Sequence, residues 1–144
     1  MAIAPYDCRH LPYKDNSFDL GVFDPPFGAM PYYEDVYKTA TTNLTQPKVR
    51  QLYREAMMEA DRVVKPSGMI WVKCQDIYKN GRQWRNTIYV WQIARKLGWI
   101  DEDQFILVAA RHDGPKKHNN TQRHARKAHS VLWVFRKLRK PKPR

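Results

Sequence analysis

Asp15–Gly28 reads DNSFDLGVFDPPFG, and its two halves obey different rules. Phe18–Phe23 (FDLGVF) is a short apolar run of strand length. Asp24-Pro25-Pro26 ends it, because proline locks φ and lacks the N–H that a strand or helix interior requires. The run is read as a strand that delivers Asp24, Pro25, Pro26 and Phe27 at its C-terminal end, where open α/β sheets bind ligands. Two successive prolines also remove two backbone donors and leave carbonyls free to accept. A carboxylate, free carbonyls and an aromatic face suit a planar ring bearing an exocyclic amine. The amine donates to the Asp24 side chain and the Pro25 carbonyl, while Phe27 stacks on the ring. The competing reading is a plain Asx/Pro turn with Phe27 in the core. The apolar strand before the prolines and the long segment after them weigh against it.

Working outward, Gly28–Pro47 is a polar, aromatic-containing segment of a length that compact domains rarely leave structureless without a use. Its Tyr32, Tyr33 and Tyr37 are candidates for contact with such a ring. Lys48–Val64 carries apolar residues at helical spacing (Val49, Leu52, Tyr53, Ala56, Met57, Ala60, Val63, Val64), started by Thr45 and Pro47 and stopped by Pro66-Ser67-Gly68. Met69–Gln75 reads as a second strand, with Lys73, Cys74 and Asp76 at its C-terminal end; Asp76 either lines the site or caps the next element. Trp84–Leu97 is expected to be a helix with Trp84, Ile88, Trp91 and Ala94 on one stripe, stopped by Gly98. Gln104–Ala110 and Ser130–Arg136 complete about four main strands. No helix separates these last two, so the final one is expected to be antiparallel. The expected class is α/β: a partial Rossmann-like sheet with flanking helices. Trp71, Trp91, Trp99 and Trp133 are expected in the core.

A composition of 42% hydrophobic and 28% charged residues excludes a disordered chain, and 144 residues suit one domain. That domain is expected over residues 1–137, with 138–144 as a basic tail. No apolar run is long enough to span a membrane, and the first residues lack the pattern of a secretory signal. Cys8 and Cys74 are read as thiols in apolar surroundings, the expected compartment being the cytoplasm. The histidines and cysteines are not spaced as metal ligands, so no metal is expected. The net charge of +12 is lopsided: residues 1–110 hold 14 Lys/Arg against 13 acids, while residues 111–144 hold 12 Lys/Arg against Asp113 alone. Such a block points to a polyanion, nucleic acid first. Lys116, Lys117, Arg123, Arg126 and Lys127 are the candidate phosphate contacts, in a loop expected beside the sheet end that bears DPPF.

FDLGVF followed by DPPF resembles motif IV of the class I S-adenosylmethionine-dependent amino-methyltransferases, among them the N6-adenine and N4-cytosine DNA methyltransferases. The resemblance extends to Asp7-Cys8-Arg9-His10-Leu11-Pro12, to Arg62–Gly68 with MIWVKCQD after it, and to Gln122–Arg126 leading into HSVLWVFRK. It covers about residues 5–137, with Ser67 where the family usually has glycine. It implies Asp24, Pro25, Pro26 and Phe27 as the target-base site on a flipped adenine or cytosine. It also implies Asp7, with Cys8 beside it, as a contact to the adenine of S-adenosylmethionine. The six glycines (21, 28, 68, 81, 98 and 114) form no Gly-x-Gly unit, so the resemblance is to the second half of the fold. The strand Phe18–Phe23 is then expected to have an open edge, where a partner subunit or a second copy would pair. The leading expectation is methyl transfer to a base amine of DNA. The alternatives are an RNA base-amine methyltransferase and a catalytically silent nucleic-acid-binding subunit.

Overall fold

The computed structural model describes residues 6–27, 45–108 and 127–138. In chain order the elements are β1 (Phe18–Phe23), α1 (Gln46–Val63), β2 (Val64–Cys74), the short strands β3 (Ile77–Lys79) and β4 (Arg82–Trp84), α2 (Asn86–Lys96), β5 (Trp99–Val108) and β6 (His129–Lys137). The main sheet has the order β1-β2-β6-β5, and β3 pairs only with β4. β1 runs parallel to β2, whereas β6 is antiparallel to both β2 and β5. Three strands therefore share one direction and the last opposes them, the α/β arrangement expected from sequence. Among the described residues the outer edge of β1 is unpaired.

Both helices cover one face of this sheet. Pleating alternates side chains between faces, and Ile70, Val72 and Cys74 of β2 join Val131 and Phe135 of β6 on the covered side. Against them pack Val49, Tyr53 and Met57 of α1 and Val90, Ile93 and Ala94 of α2. The alternate residues Leu20, Val22, Trp71, Phe105 and Leu107 lie on the other face and are exposed. Lys137 is buried; its ammonium donates to the Asp61 carbonyl and to the Val64 carbonyl (2.8 Å), satisfying carbonyls at the end of α1 from the last strand. Cys8 and Cys74 are both thiols, the second buried.

Four expectations need correction. Trp84 belongs to β4, not to a helix: Asn80 (φ 53°) and Gly81 (φ 72°) form a left-handed two-residue turn that folds Arg82–Trp84 back onto Ile77–Lys79. The second helix accordingly starts at Asn86 and buries Asn86, Val90, Ile93 and Ala94, leaving Ile88 and Trp91 exposed. β2 starts directly at the end of α1, with an irregularity opposite Phe18–Leu20 that absorbs Lys65–Gly68. β5 starts at Trp99, because that indole is buried and donates to Asp61 (2.8 Å) while Asp101-Glu102-Asp103 face solvent on an edge strand. Of the tryptophans expected in the core, Trp99 is buried and Trp133 stacks on Phe135, but Trp71 and Trp91 are each 37% exposed.

Candidate active site

β1 delivers Asp24-Pro25-Pro26-Phe27 at its C-terminal end, as its sequence requires. The register pairs Phe23 with Val72, so the next residues along, Asp24 and Lys73, meet. Lys73 Nζ donates to Asp24 Oδ2 at 2.9 Å and stands 5.7 Å from the centre of the Phe27 ring. Asp24 Oδ1 receives no hydrogen bond among the described residues. Lys73 itself is anchored from behind, where the buried Tyr53 hydroxyl donates to its carbonyl (3.0 Å) and Tyr53 packs edge-on against Phe23. Burial in that apolar setting pushes the Tyr53 phenol far above its ordinary range. Tyr53 is thus a neutral donor at every working pH.

Pro25 is buried and Pro26 and Phe27 are half-buried, which fixes the backbone beneath the exposed carboxylate. The Pro25 and Pro26 carbonyls accept nothing from the described residues. The Phe27 carbonyl is held: Gln46 Nε2 donates to it at 3.0 Å. Gln46 Oε1 in turn accepts from Asn86 Nδ2 (3.0 Å), which also donates to the Gln75 carbonyl (3.1 Å), and Asn86 Oδ1 accepts from Arg50 Nε (3.2 Å). Gln46 and Asn86 are the two most deeply buried polar side chains described, at 2% and 1% exposure. A fully satisfied buried network of this kind locks geometry. It ties the end of β1 to the starts of both helices.

Asp24, Pro25, Pro26 and Phe27 are therefore brought together. Asp7 and Cys8 are not in contact with them. The chain from Arg9 to Ser17 runs beside α1, with Arg9 near Glu55, Leu11 N–H donating to Glu59, and Arg62 bridging Glu59 to Asp15. Asp7 accepts from Arg9 through both oxygens, and those hydrogen bonds lower its pKa to about 2. The half-buried Cys8 thiol is raised, chiefly by burial. Asp76 takes the capping role: its Oδ1 accepts the Thr87 N–H (2.8 Å) in the first turn of α2. Lys116, Lys117, Arg123 and Arg126 lie outside the described residues, as do Tyr32, Tyr33 and Tyr37. Lys127 is exposed. Val108 pairs with His129, whose carbonyl accepts from Gln75 at the end of β2 (2.9 Å). The described residues flanking 109–126 thus sit at the sheet end that bears DPPF.

Sequence reasoning placed Lys73 near the site without a role and missed Gln46 and Asn86 altogether. Polar residues at a helix start read as capping, and their burial follows only from how the two helices converge.

The family model for the N6/N4 methyltransferases, described as DNA methylase, matches residues 18–144. No curated protein matches the chain. Among solved structures, the cytosine-N4-specific PvuII DNA methyltransferase aligns with a TM-score of 0.61 at 18% identity, over 87% of this chain and 44% of that one. A protein of Thermus thermophilus assigned as a DNA modification methylase gives a TM-score of 0.56 at 18% identity, over 91% of this chain and 50% of that one. Its complex with S-adenosyl-L-methionine gives 0.55 at 20% identity, over 94% and 56%. The chain thus spans about half the length of these structures. They establish the fold, and the family model, which begins at the strand leading into DPPF and runs through the last described strand, establishes the lineage: the chain belongs to the N6/N4 DNA methylase family.

Proposed function

We propose that this chain forms the target-amine site of an S-adenosylmethionine-dependent methyltransferase acting on adenine N6 or cytosine N4 in DNA. The observation that carries the reading is the cluster at the end of β1. One Asp24 oxygen is held by Lys73, whose ammonium stands 5.7 Å from the Phe27 ring centre, while the other oxygen and the Pro25 carbonyl accept no hydrogen bond among the described residues. An exocyclic amine there would donate one N–H to Asp24 Oδ1 and the other to the Pro25 carbonyl. Both bonds draw density toward nitrogen and turn its lone pair outward. Asp24 would take the proton that the nitrogen sheds on alkylation and pass it to water. Phe27 would stack on the base, worth about 1–3 kcal/mol.

S-adenosylmethionine would supply the electrophilic methyl group. Asp7 fits its adenine end, since the carboxylate is exposed and ionised at working pH and its only partner among the described residues is an equally exposed arginine. Cys8 lies beside it. Nothing among the described residues fits the methionine end, for which the sequence has no Gly-x-Gly unit.

The test is methyl incorporation from labelled S-adenosylmethionine into DNA and RNA, with nucleosides identified after digestion, by the full chain alone and with lysate of its source cell. N6-methyladenine or N4-methylcytosine in DNA is expected, abolished by Asp24→Ala and retained by Phe27→Tyr. Methylation of RNA alone would move the substrate to RNA. Nucleic-acid binding without methylation under either condition would make the chain a silent binding subunit.

A further inference from the structure

Besides the basic stretch after residue 110, the described residues hold a second concentration of cations. Residues 78–85 read YKNGRQWR, with three cations and no acid. They form the β3–β4 hairpin and its exit. Lys79 lies directly opposite Arg82 across the tip, an arrangement of like charges that weakens a hairpin. No described carboxylate relieves it. Lys79, Arg82, Arg85 and Lys48 make no ion pair with a carboxylate among the described residues. Asp76, the acid closest in sequence, spends Oδ1 on the Thr87 N–H.

Aromatic packing holds Arg82 in place, with Arg50 on the same ring. The Arg82 guanidinium lies 4.6 Å from the Trp84 ring centre, and Arg50 lies 5.1 Å from the same ring and 4.6 Å from Tyr89. Stacking uses the flat faces of a guanidinium and leaves its N–H edge for planar, bidentate acceptors such as phosphate. Burial lowers the Arg50 pKa, and the Arg82 charge adds to that push against opposing pulls from Tyr89 and Asp76.

Location connects this cluster to the candidate site. An open cleft of about 140 Å³ separates the hairpin from the start of α1, lined by Gln46, Lys79, Asn80, Arg82 and Trp84 among others. Gln46 is also the residue that holds the Phe27 carbonyl. One side chain therefore touches both the cleft and DPPF.

We propose that the β3–β4 hairpin is a phosphate contact for the DNA strand carrying the target base, with Lys79, Arg82 and Arg85 as its cations. The inference rests on the DNA reading above. While the base occupies Asp24 and Phe27, the flanking backbone lies along the hairpin. Two arginines and a lysine fix its register and carry no base specificity.

The experiment is a binding titration of the full chain with a short labelled duplex, by fluorescence anisotropy, across about 50 to 200 mM salt. The triple variant Lys79→Gln, Arg82→Gln, Arg85→Gln is compared with wild type, with circular dichroism confirming its fold. The slope of log K against log salt should flatten by about 2–3, and by about 1 in the single variant Lys79→Gln, which serves if the triple variant fails to fold. Wild-type slope and affinity in the folded variant would overturn the hairpin proposal and leave the DNA reading standing. Wild-type protein that binds no duplex at the lowest salt would overturn both.

Discussion

Replacing Asn86 with alanine removes a side chain that is 1% exposed and joins the starts of both helices to the end of β2. Three hydrogen bonds disappear: two donated by Nδ2, to Gln46 and to the Gln75 carbonyl, and one accepted by Oδ1 from Arg50. Gln46 Oε1 then stays buried with no donor. A neutral hydrogen bond contributes about 1 kcal/mol net, and a buried acceptor left unsatisfied costs about 1–3 kcal/mol. Arg50 is half-buried and can turn to water, so its bond counts for less. The sum is about 3–5 kcal/mol, a large share of the roughly 5–15 kcal/mol that holds a domain folded. Urea denaturation followed by tryptophan fluorescence reads it directly. With an m-value of about 2 kcal/mol/M, the midpoint should fall by about 1.5–2.5 M. Asn86→Asp refines the test. It keeps the acceptor for Arg50 but offers Gln46 no donor, so Gln46 can satisfy it only by turning its amide away from the Phe27 carbonyl. That variant should recover part of the stability and still bind a target base poorly. A loss below about 0.5 kcal/mol in Asn86→Ala would refute the reasoning, because buried networks cannot be dismantled so cheaply.

Lys73→Met should change stability by less than about 1 kcal/mol, since the ion pair with Asp24 is largely solvated, yet it should slow methyl transfer by freeing the carboxylate. Lys73→Arg should restore the rate, and single-turnover kinetics separate the two effects. Gly68→Ala should destabilise the fold by several kcal/mol in the same urea assay. A Cβ there would lie 2.6 Å from Val64 Cγ1 and 2.9 Å from the Asp19 and Lys65 carbonyl oxygens, a clash without free space to relax into. Ser67→Gly should instead stabilise by about 0.5–1 kcal/mol, because Ser67 holds φ 68°, where an L side chain is strained. Asp7 is held near pKa about 2, below its ordinary 3.8, by its bonds from Arg9. Its contribution is complete above pH about 4 and is lost as pH falls toward 2, so acid unfolding of Asp7→Asn should lose part of its steepness in that window.

What the chain reveals before folding depends on how local the cause is. The strand Phe18–Phe23 and its Pro-Pro stop are local, and the α1 stripe through Val49, Tyr53, Ala56 and Met57 is a period any helix must honour. The start of β2 was hidden because Pro66-Ser67-Gly68 reads as a break; only the irregular pairing with Phe18–Leu20 shows that the strand passes through it. Trp84 misled because it extends a helical apolar period by one turn. The Asn80-Gly81 pair outweighs that period, and it was the readable signal. The placement of Asp24 and Phe27 just past the end of β1 was legible from the strand and its Pro-Pro stop. Lys73 acquires its meaning from strand register, and Gln46 and Asn86 from tertiary convergence, which no local pattern encodes.

The strand order has a consequence for how the protein is made. β6 lies between β2 and β5, yet it is translated after both. While residues 75 to 137 are being added, the edge of β2 that β6 will occupy has no partner. At about 5–20 residues per second that interval lasts roughly 3–13 s. The parallel β1–β2 ribbon can form early with α1 packed on it, but it waits with the part of that face that α2 will cover still open and a bare hydrogen-bonding edge beside it, the geometry that invites pairing between nascent chains. Slow translation and high expression should therefore lower the yield of folded protein, and the burden of chaperone protection falls on the stretch of synthesis between Gln75 and Lys137.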